Sequence, residues 1–284
     1  MIPLPFDPEI HFGPFSLAWH GIFTAVGIFF GVSLPIRLLR GRVTEEAAWA
    51  VATWGVVGGI TGARLLHVID RWDFYSEHVD QIVAIWTGGI AVWGAAFGGV
   101  LGGFIVALRR TDIPIGATAD AAAAGLSLGF AIGRIGDIIN GEHHAVVCGG
   151  GPGICVEFTN PNTLGQSPMF PLGDPRSAAG PVHLVVAYDM MWDLLGVALV
   201  LVLMRTALAR APQGRIFWIW VLWYALGRFA LGFLRIGDPT PILGLRQDQY
   251  VAVLAAAVAL PALALVQAHV LPRLLRLVPR PRPT

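Results

Sequence analysis

The chain has 284 residues, of which 55% are hydrophobic and only 13% are charged, and its mean hydropathy is +0.67. Soluble domains carry about 25% charged residues, so this composition excludes a soluble globular enzyme and indicates an integral membrane protein. The net charge of +1 does not point to nucleic acid, and we predict no such partner.

Seven apolar runs follow a proline-rich segment that occupies residues 1–15. A transmembrane helix needs roughly 20 predominantly apolar residues, and each run is about long enough. We therefore predict an all-α integral membrane protein with about seven transmembrane helices. The predicted spans are residues 16–37, 46–69, 84–108, 116–139, 184–206, 215–236 and 249–271.

The arginines predict the orientation of these spans. The chain has 19 arginines and no lysine, and 12 of the arginines lie in four segments that seven alternating spans place on one side. Cytoplasmic loops carry an excess of basic residues, so we expect the N-terminus outside and the C-terminus in the cytoplasm. The segments contain Arg37, Arg40 and Arg42; Arg109 and Arg110; Arg205, Arg210 and Arg215; and Arg273, Arg276, Arg280 and Arg282.

The longest non-apolar segment, about residues 141–183, faces outward in this arrangement and is predicted to be a loop or small cap. It contains both cysteines, Cys148 and Cys155. An outside location permits a disulfide between them, and two free thiols are the alternative. Together with this cap, residues 1–284 are predicted to form a single transmembrane domain.

Glycines cluster inside the second and third predicted spans. Small residues at four-residue spacing let helices approach closely in lipid, so helix packing explains most of these glycines and we assign them no chemistry. They are Gly58, Gly59, Gly62, Gly94, Gly98, Gly99, Gly102 and Gly103.

The most unusual stretch is residues 133–142, which begins inside an apolar run and yet carries four charged or polar side chains. An arginine in the membrane interior costs roughly 2.5–3.5 kcal/mol on insertion scales, so it should face a polar cavity. A purely structural arginine–aspartate pair is the alternative, but the polar patch extends further along the chain. It consists of Arg134, Asp137, Asn140 and Glu142, followed by His143 and His144.

A second polar stripe lies on the sixth predicted span, where Tyr224, Arg228, Gly232 and Arg235 recur every three or four residues on one helix face. Arginines that converge at one depth suit an anionic headgroup, because the planar guanidinium binds phosphate oxygens bidentately. The alternative for Arg235 is extension of its charged end to the membrane surface.

His183, Tyr188 and Asp189 lie at the start of the fifth span, at the same outer level as these arginines. The alternative for each is an ordinary residue of the membrane interface. The sequence contains no H-E-x-x-H, C-x-x-C or P-loop pattern. We therefore predict neither a metal nor a cofactor.

Residues 133–142, with the sequence GRIGDIINGE, resemble the signature of the prolipoprotein diacylglyceryl transferase family of bacterial inner-membrane enzymes. Four further segments are similar to the family in the same order along the chain. These are Phe12-Gly13-Pro14 with Trp19-His20-Gly21, Ile85-Trp86-Thr87-Gly88-Gly89, His183 to Tyr188-Asp189, and Tyr224 through Arg228-Phe229 to Arg235.

The resemblance implies a reaction and its partners. The diacylglyceryl group of phosphatidylglycerol passes to the thiol of the lipobox cysteine in a prolipoprotein signal peptide, and glycerol phosphate leaves. Fixed positive charge in a dry cavity stabilises the negative charge that develops on this leaving group. Because the nucleophile belongs to the substrate, neither cysteine of this chain is required.

The resemblance also implies roles for individual residues. Arg134 would hold the phosphate of the lipid, Arg228 would assist, and Asn140 and Glu142 would order the headgroup. We predict three catalytic residues, Arg134, Arg228 and Glu142. The predicted substrate-binding residues are Arg134, Asp137, Asn140, Gly141, Tyr224, Arg235 and His183.

Four positions depart from the family pattern. Many members have a histidine, thought to act as the base, where this chain has Trp93, yet a thiol with a pKa of about 8.5 must lose its proton to attack well. The usual asparagine is Asp137 here, and a family glutamate is Gly232. We hypothesise that Asp137 pairs across the cavity with Arg228 or Arg235. The candidate bases are His143, His144, Glu142 and His20, the last of which stands where the family has a tyrosine.

The sequence thus predicts a multi-pass transferase of the bacterial cytoplasmic (inner) membrane, with its active site toward the outer face. The rival interpretation is a transporter or a lipid-binding protein in which the same arginines line an outer anion cavity. Transporters often contain internal repeats, and we find no repeat in this sequence.

Overall fold

The computed structural model describes residues 1–13, 15–84, 89, 91–141, 145–148, 153–163, 181–206, 212–236 and 243–268, without the side chains of Val92 and Trp93. Seven helices of 18 or more residues lie within these ranges, together with one short helix, α3, and a single 3₁₀ turn at Val79–Gln81. The helices are α1 (Trp19–Leu38), α2 (Glu45–Asp70), α3 (Trp72–Tyr75), α4 (Val92–Arg109), α5 (Ile115–Asn140), α6 (Val185–Arg205), α7 (Arg215–Gly232) and α8 (Gln247–Gln267).

Four of these helices, α1, α5, α6 and α8, are long and apolar enough to cross a membrane, judged by length and composition. A shorter apolar helix covers Gly94–Arg109. The prediction of a helical membrane protein is therefore confirmed. The count of seven spans and their orientation stay predictions.

Local sequence signals set several helix ends. Thr44 caps α2 by accepting a hydrogen bond from the backbone N–H of Ala47 at 3.3 Å, and Glu45 and Glu46 occupy the positive end of the helix dipole. Helix α5 stops at Gly141, whose φ of 68° lies in the left-handed region that glycine adopts without strain. The motif therefore ends where its own glycine allows the chain to turn.

Five short strands lie in the described parts of the chain, and they were not foreseen from the sequence. Strands β2 (Glu9–Phe12) and β3 (Phe15–Ala18) form an antiparallel pair before α1. Strand β1 (Ile2–Leu4) pairs in parallel with β4 (Cys155–Phe158), which pairs antiparallel with β5 (Val182–His183). The N-terminal segment and the predicted outer loop, both expected to be irregular, thus share a small sheet.

The chain divides into two compact units, one formed by residues 1–35 and 119–271 and the other by residues 36–118 and 272–284. The prediction of a single domain over the whole chain stays a prediction. In the second unit, glycines of α2 face glycines of α4. A Cβ atom on Gly62 would come 2.9 Å from the Cα of Gly98, so the two backbones are in direct contact. This confirms that helix packing accounts for these glycines.

In the first unit, polar side chains join α5 to α7, and indole rings join α6 to α7. Asp120 accepts hydrogen bonds from the backbone N–H groups of Gly214 and Phe217, at 2.8 and 2.9 Å, and so satisfies donors at the start of α7. The rings of Trp192 and Trp223 stack with centroids 4.1 Å apart, and each indole N–H donates to the other residue's carbonyl oxygen. These contacts fix the three helices that carry the charged residues described next.

Candidate active site

Backbone pairing after α5 gathers the ends of three helices. Ala145 forms a bridge with Arg235 just beyond α7, and the N–H of Val146 donates to the carbonyl of Leu234 at 3.0 Å. On the other side, the N–H of His183 donates to the carbonyl of Val146 at 3.1 Å, just before α6 begins. The last turn of α5, the last turn of α7 and the first turn of α6 are therefore held side by side.

A disulfide between Cys148 and Cys155 closes the segment between α5 and β4. Cys155 lies opposite His183 in the sheet, and the hydroxyl of Tyr188 accepts a hydrogen bond from the N–H of Ile154 at 2.6 Å. The Nδ1 atom of His183 lies 3.4 Å from that same hydroxyl. Of the two alternatives for the cysteines, the structure thus has the disulfide, and it lies beside the start of α6.

The carboxylate of Asp189, in the second turn of α6, is shared by three arginines from two other segments. One of its oxygens lies 3.5 Å from Nη1 of Arg228, contacts Nη2 of Arg235 and lies 4.0 Å from Nη2 of Arg134. The three arginine side chains are only 15%, 13% and 7% exposed for Arg134, Arg228 and Arg235. The arginines that the sequence singled out separately therefore converge on one point.

Asp137 has a different set of partners from the one we hypothesised. Its Oδ2 lies 2.8 Å from Nη1 of Arg134, three residues earlier on α5, and its Oδ1 lies 2.7 Å from Nδ1 of His20 on α1. The carboxylate that lies against Arg228 and Arg235 is that of Asp189. The carboxylate that balances the charge of Arg228 and Arg235 is thus that of Asp189 on α6. Asp137 instead pairs with Arg134 of its own helix.

Helix α8 contributes another carboxylate. Oδ2 of Asp248 lies 3.7 Å from Nη2 of Arg228. Gly232 packs against Gln249 so closely that a Cβ atom on the glycine would come 2.7 Å from the Cγ of that side chain. An acidic side chain at Gly232 would have to displace Gln249, and Asp248 and Asp189 place acidic groups beside the α7 segment instead.

Three buried arginine Nε atoms have no hydrogen-bond partner among the described residues. Those of Arg228 and Arg235 belong to the cluster of charged side chains around Asp189, and the third is that of Arg215 at the start of α7. A buried N–H group without a partner is costly and rare in a folded protein. The cluster therefore retains donor capacity for an anionic ligand, even though its carboxylates engage the terminal nitrogens.

The other predicted residues fall into two groups. Tyr224 is near the cluster's helices, with its ring centroid 5.5 Å from that of Phe130, and Asn140 is buried at the end of α5. The remaining predicted residues, namely Glu142, His143 and His144, lie outside the described residues, as does the side chain of Trp93.

A cavity of about 620 Å³ lies beside the start of α1. Within it, the pKa of Asp7 is lowered, first by the hydrogen bond from the backbone N–H of Glu9 and then by that from the side chain of Asn162. Its carboxylate is therefore ionised at neutral pH, while most of the lining is apolar. The lining residues are Phe6, Asp7, Glu9, Ile10, His11, Trp19, Phe23 and Ile139.

Sequence reasoning gave no role to the buried Arg64 of α2, in the second unit. Its guanidinium donates to the carbonyls of Gln81, Ile82 and Gly89 at 2.5, 2.8 and 2.8 Å, and lies 5.1 Å from the ring centroid of Tyr75. It thereby fixes the backbone that leads toward α4. A charge in the middle of a predicted span was the signal available for it.

The fold and the cluster together define a class: a helical membrane protein in which buried arginines and aspartates from four helices form one polar site. A family model described as prolipoprotein diacylglyceryl transferase matches residues 9–265. The chain therefore belongs to the prolipoprotein diacylglyceryl transferase family, and it is a transferase.

Three individual relatives agree with this assignment, and each bears the name phosphatidylglycerol–prolipoprotein diacylglyceryl transferase. The protein of Frankia alni is 34% identical over 279 residues, which cover 95% of this chain and 69% of the relative. The protein of a Nostoc species is 33% identical over 90% of this chain and 87% of its own length. The protein of Synechococcus elongatus is 35% identical over 87% of this chain and 83% of its own length.

Proposed function

We propose that this chain transfers the diacylglyceryl group of phosphatidylglycerol to the thiol of a lipobox cysteine in a prolipoprotein, with release of glycerol phosphate. Family membership over residues 9–265 supports this reaction. The names of the relatives, which contain both the lipid and the prolipoprotein, support it as well. The reaction is the first step of bacterial lipoprotein maturation.

The observation that carries the proposal is the convergence of Arg134, Arg228 and Arg235 on one buried carboxylate, with the Nε atoms of Arg228 and Arg235 lacking partners among the described residues. A phosphodiester that becomes a phosphate monoester gains negative charge as its carbon–oxygen bond breaks. Guanidinium groups fixed in a water-poor site stabilise that charge without reorganising. The cluster is thus suited to hold the phosphate and to favour its departure.

The carboxylates hold the arginines in place before the lipid arrives. Asp137 orients Arg134, and Asp189 and Asp248 orient Arg228. Preorganised donors cost less to align during the reaction than mobile ones. We assign catalytic roles to Arg134 and Arg228.

The other predicted site residues keep the roles that the resemblance implies. Glu142 is assigned to the catalytic set and to ordering of the headgroup. His143, His144 and His20 stay candidate bases. The proposed substrate-binding residues, besides Arg134, are Asp137, Asn140, Gly141, Tyr224, Arg235 and His183.

For the setting of the reaction, we propose seven spans in a bacterial inner membrane, with the N-terminus outside and the site toward the outer face. The arginine-rich segments support this orientation. The disulfide supports it as well, because disulfides persist in oxidising compartments outside the cytoplasm. Both substrates are embedded in the membrane, so they would enter laterally between helices.

The experiment is a reaction of purified protein with phosphatidylglycerol in detergent micelles and a synthetic lipobox peptide. We expect glycerol phosphate to appear in proportion to a peptide that has gained one diacylglyceryl group, and neither product when the cysteine of the peptide is replaced by serine. Binding of phosphatidylglycerol without either product would contradict the proposal and favour the lipid-binding or transporter interpretation.

A further inference from the structure

The imidazole of His20 and the carboxylate of Asp137 form a pair in the arrangement that enzymes use to build a general base. Nδ1 of His20 lies 2.7 Å from Oδ1 of Asp137, and the other oxygen of the same carboxylate lies 2.8 Å from Nη1 of Arg134. A carboxylate at Nδ1 fixes the tautomer, because Nδ1 then carries the hydrogen and Nε2 carries the lone pair. The carboxylate also stabilises the imidazolium that forms when Nε2 takes a proton.

A general base must be accessible to its substrate, whereas the carboxylate that orients it can be buried. His20 and Asp137 differ in exposure in this sense. The side chain of His20 is 38% exposed, whereas that of Asp137 is only 6% exposed. The carboxylate is therefore held in the interior against Arg134 and His20, while part of the His20 ring lies at the surface of the protein. Trp19, the residue before His20, and Ile139, two residues after Asp137, line the cavity beside α1.

Packing between α1 and α5 makes the pair rigid. A Cβ atom on Gly136 would come 2.7 Å from the Cα of His20, so the two helix backbones touch at this point. The N–H of Trp19 also donates to the carbonyl of Pro8 at 3.0 Å, which anchors the start of α1. A histidine held by a carboxylate on a rigid contact is positioned rather than merely solvated.

We propose that His20 is the general base of the reaction and that Asp137 is its positioning residue. This inference rests on the proposed function. Nε2 of His20 accepts the proton of the lipobox thiol, and the sulfur lone pair forms a bond to the sn-3 carbon of the diacylglyceryl group. The carbon–oxygen bond breaks, and its electron pair stays with the oxygen of glycerol phosphate. The imidazolium then gives its proton to the departing phosphate or to water.

The link through Asp137 explains why the base and the anion site work together. Asp137 contacts both His20 and Arg134. The group that holds the leaving phosphate and the group that activates the nucleophile are therefore oriented by one carboxylate. In-line displacement requires the activated nucleophile and the held leaving group at the same time, on opposite sides of the reacting carbon.

The test compares two peptides with the variant His20→Asn. The amide nitrogen of asparagine can still donate to Asp137, but the side chain accepts no proton. General-base catalysis contributes about 10²–10⁴-fold, so transfer to the cysteine peptide should fall at least about 100-fold. A peptide with selenocysteine in place of cysteine presents a nucleophile that is already ionised at neutral pH. With this peptide, the transfer rate of His20→Asn should fall by less than about tenfold.

Three controls complete the experiment. His78→Asn alters a partly exposed histidine between α3 and the 3₁₀ turn, to which no role is assigned, and should leave both rates unchanged. Asp137→Asn should slow the cysteine peptide more than the selenocysteine peptide. If His20→Asn does not fold, His20→Ala with added imidazole replaces it, and recovery of activity by imidazole supports the base.

Two results would overturn the assignment. One is a His20→Asn protein that keeps more than a tenth of the wild-type rate with the cysteine peptide. The other is an equal loss with both peptides, which shows a structural role. A wild-type protein that modifies neither peptide would instead overturn the proposed function, so the two failures are distinguishable.

Discussion

At the scale of single residues, the centre of the site is the carboxylate of Asp189. It compensates charge from Arg228 and Arg235, both largely removed from solvent, and lies 4.0 Å from a third arginine, Arg134. Arginines packed this closely repel one another unless an anion lies between them. Asp189 supplies that anion in the absence of substrate, and the phosphate of a lipid would share the task when bound.

We predict that Asp189→Asn destabilises the protein strongly. Removing one partner of a buried ion pair leaves uncompensated charge and typically costs about 3–5 kcal/mol. Thermal unfolding in detergent should show a clear loss of stability, and added phosphatidylglycerol should recover part of it by replacing the missing anion.

The matched control is Asp112→Asn, which breaks an exposed pair with Arg110. Exposed pairs are worth about 0–1 kcal/mol, so the melting temperature should scarcely move. Equal stability losses in the two variants would contradict the central position that we give to Asp189.

The sequence was informative about which residues are charged and costly, and less so about which residues they pair with. Arg134 and Arg228 could be selected because a charge inside a span requires a polar environment. Their shared partner, Asp189, could not be predicted from the sequence, because it comes from another helix and only the packing of α5, α6 and α7 brings it near the arginines. Asp137 was paired with the wrong helix for the same reason.

At the scale of elements, the disulfide between Cys148 and Cys155 should contribute measurable stability. It closes a short loop, with a sequence separation of 7, and the chain-entropy model gives about 2.5 kcal/mol for a loop of that size. We predict that the double variant Cys148→Ser, Cys155→Ser melts at a lower temperature than the wild type. A reducing agent should lower the melting temperature of the wild type and leave that of the variant unchanged; identical curves for all four samples would refute the prediction.

The contact between α2 and α4 gives a second prediction at this scale. Gly98→Ala would place a Cβ 3.0 Å from the Cα of Gly62 and in conflict with the carbonyl of Gly58, and overpacking of this kind costs about 1–3 kcal/mol. Gly59→Ala is the control, because its nearest neighbour, the carbonyl of Ala95, lies at 3.4 Å. Both changes improve helix propensity equally, so only Gly98→Ala should lower the melting temperature. A Gly98→Ala protein as stable as the control would show that the helices are further apart than we describe.

Helices were predicted more accurately than strands. The predicted spans 116–139 and 184–206 agree with α5 and α6 to within one residue at each end. The third span was placed too early, since α4 begins at Val92 and not at residue 84. The strands are only two to four residues long, too short for alternation of side chains to mark them.

At the scale of the whole molecule, the proposed orientation predicts which surfaces face the cytoplasm. In a background without the native cysteines, Asn162→Cys should react with a membrane-impermeant maleimide in intact spheroplasts, because it lies on an exposed part of the outer loop. Asp112→Cys, equally exposed but between α4 and α5, should react only after the membrane is opened. The reverse pattern would invert the topology.

The family could be identified from the sequence because its motifs carry chemistry in a fixed order along the chain. The catalytic geometry could not, because it depends on contacts between residues as distant as His20 and Asp137, which are 117 positions apart. The arrangement of the whole site is a property of the packed helices.

Arg134 is the residue on which the proposed reaction depends most; it contacts Asp137 and lies near Asp189. The decisive measurement is the rate at which Arg134→Ala transfers diacylglyceryl from phosphatidylglycerol to a lipobox peptide, with Arg110→Ala as an exposed control. Loss of one preorganised donor costs about 10²–10³-fold, so we predict at least that loss in Arg134→Ala, with folding retained, and a wild-type rate in the control. Turnover of folded Arg134→Ala at the wild-type rate would contradict the account.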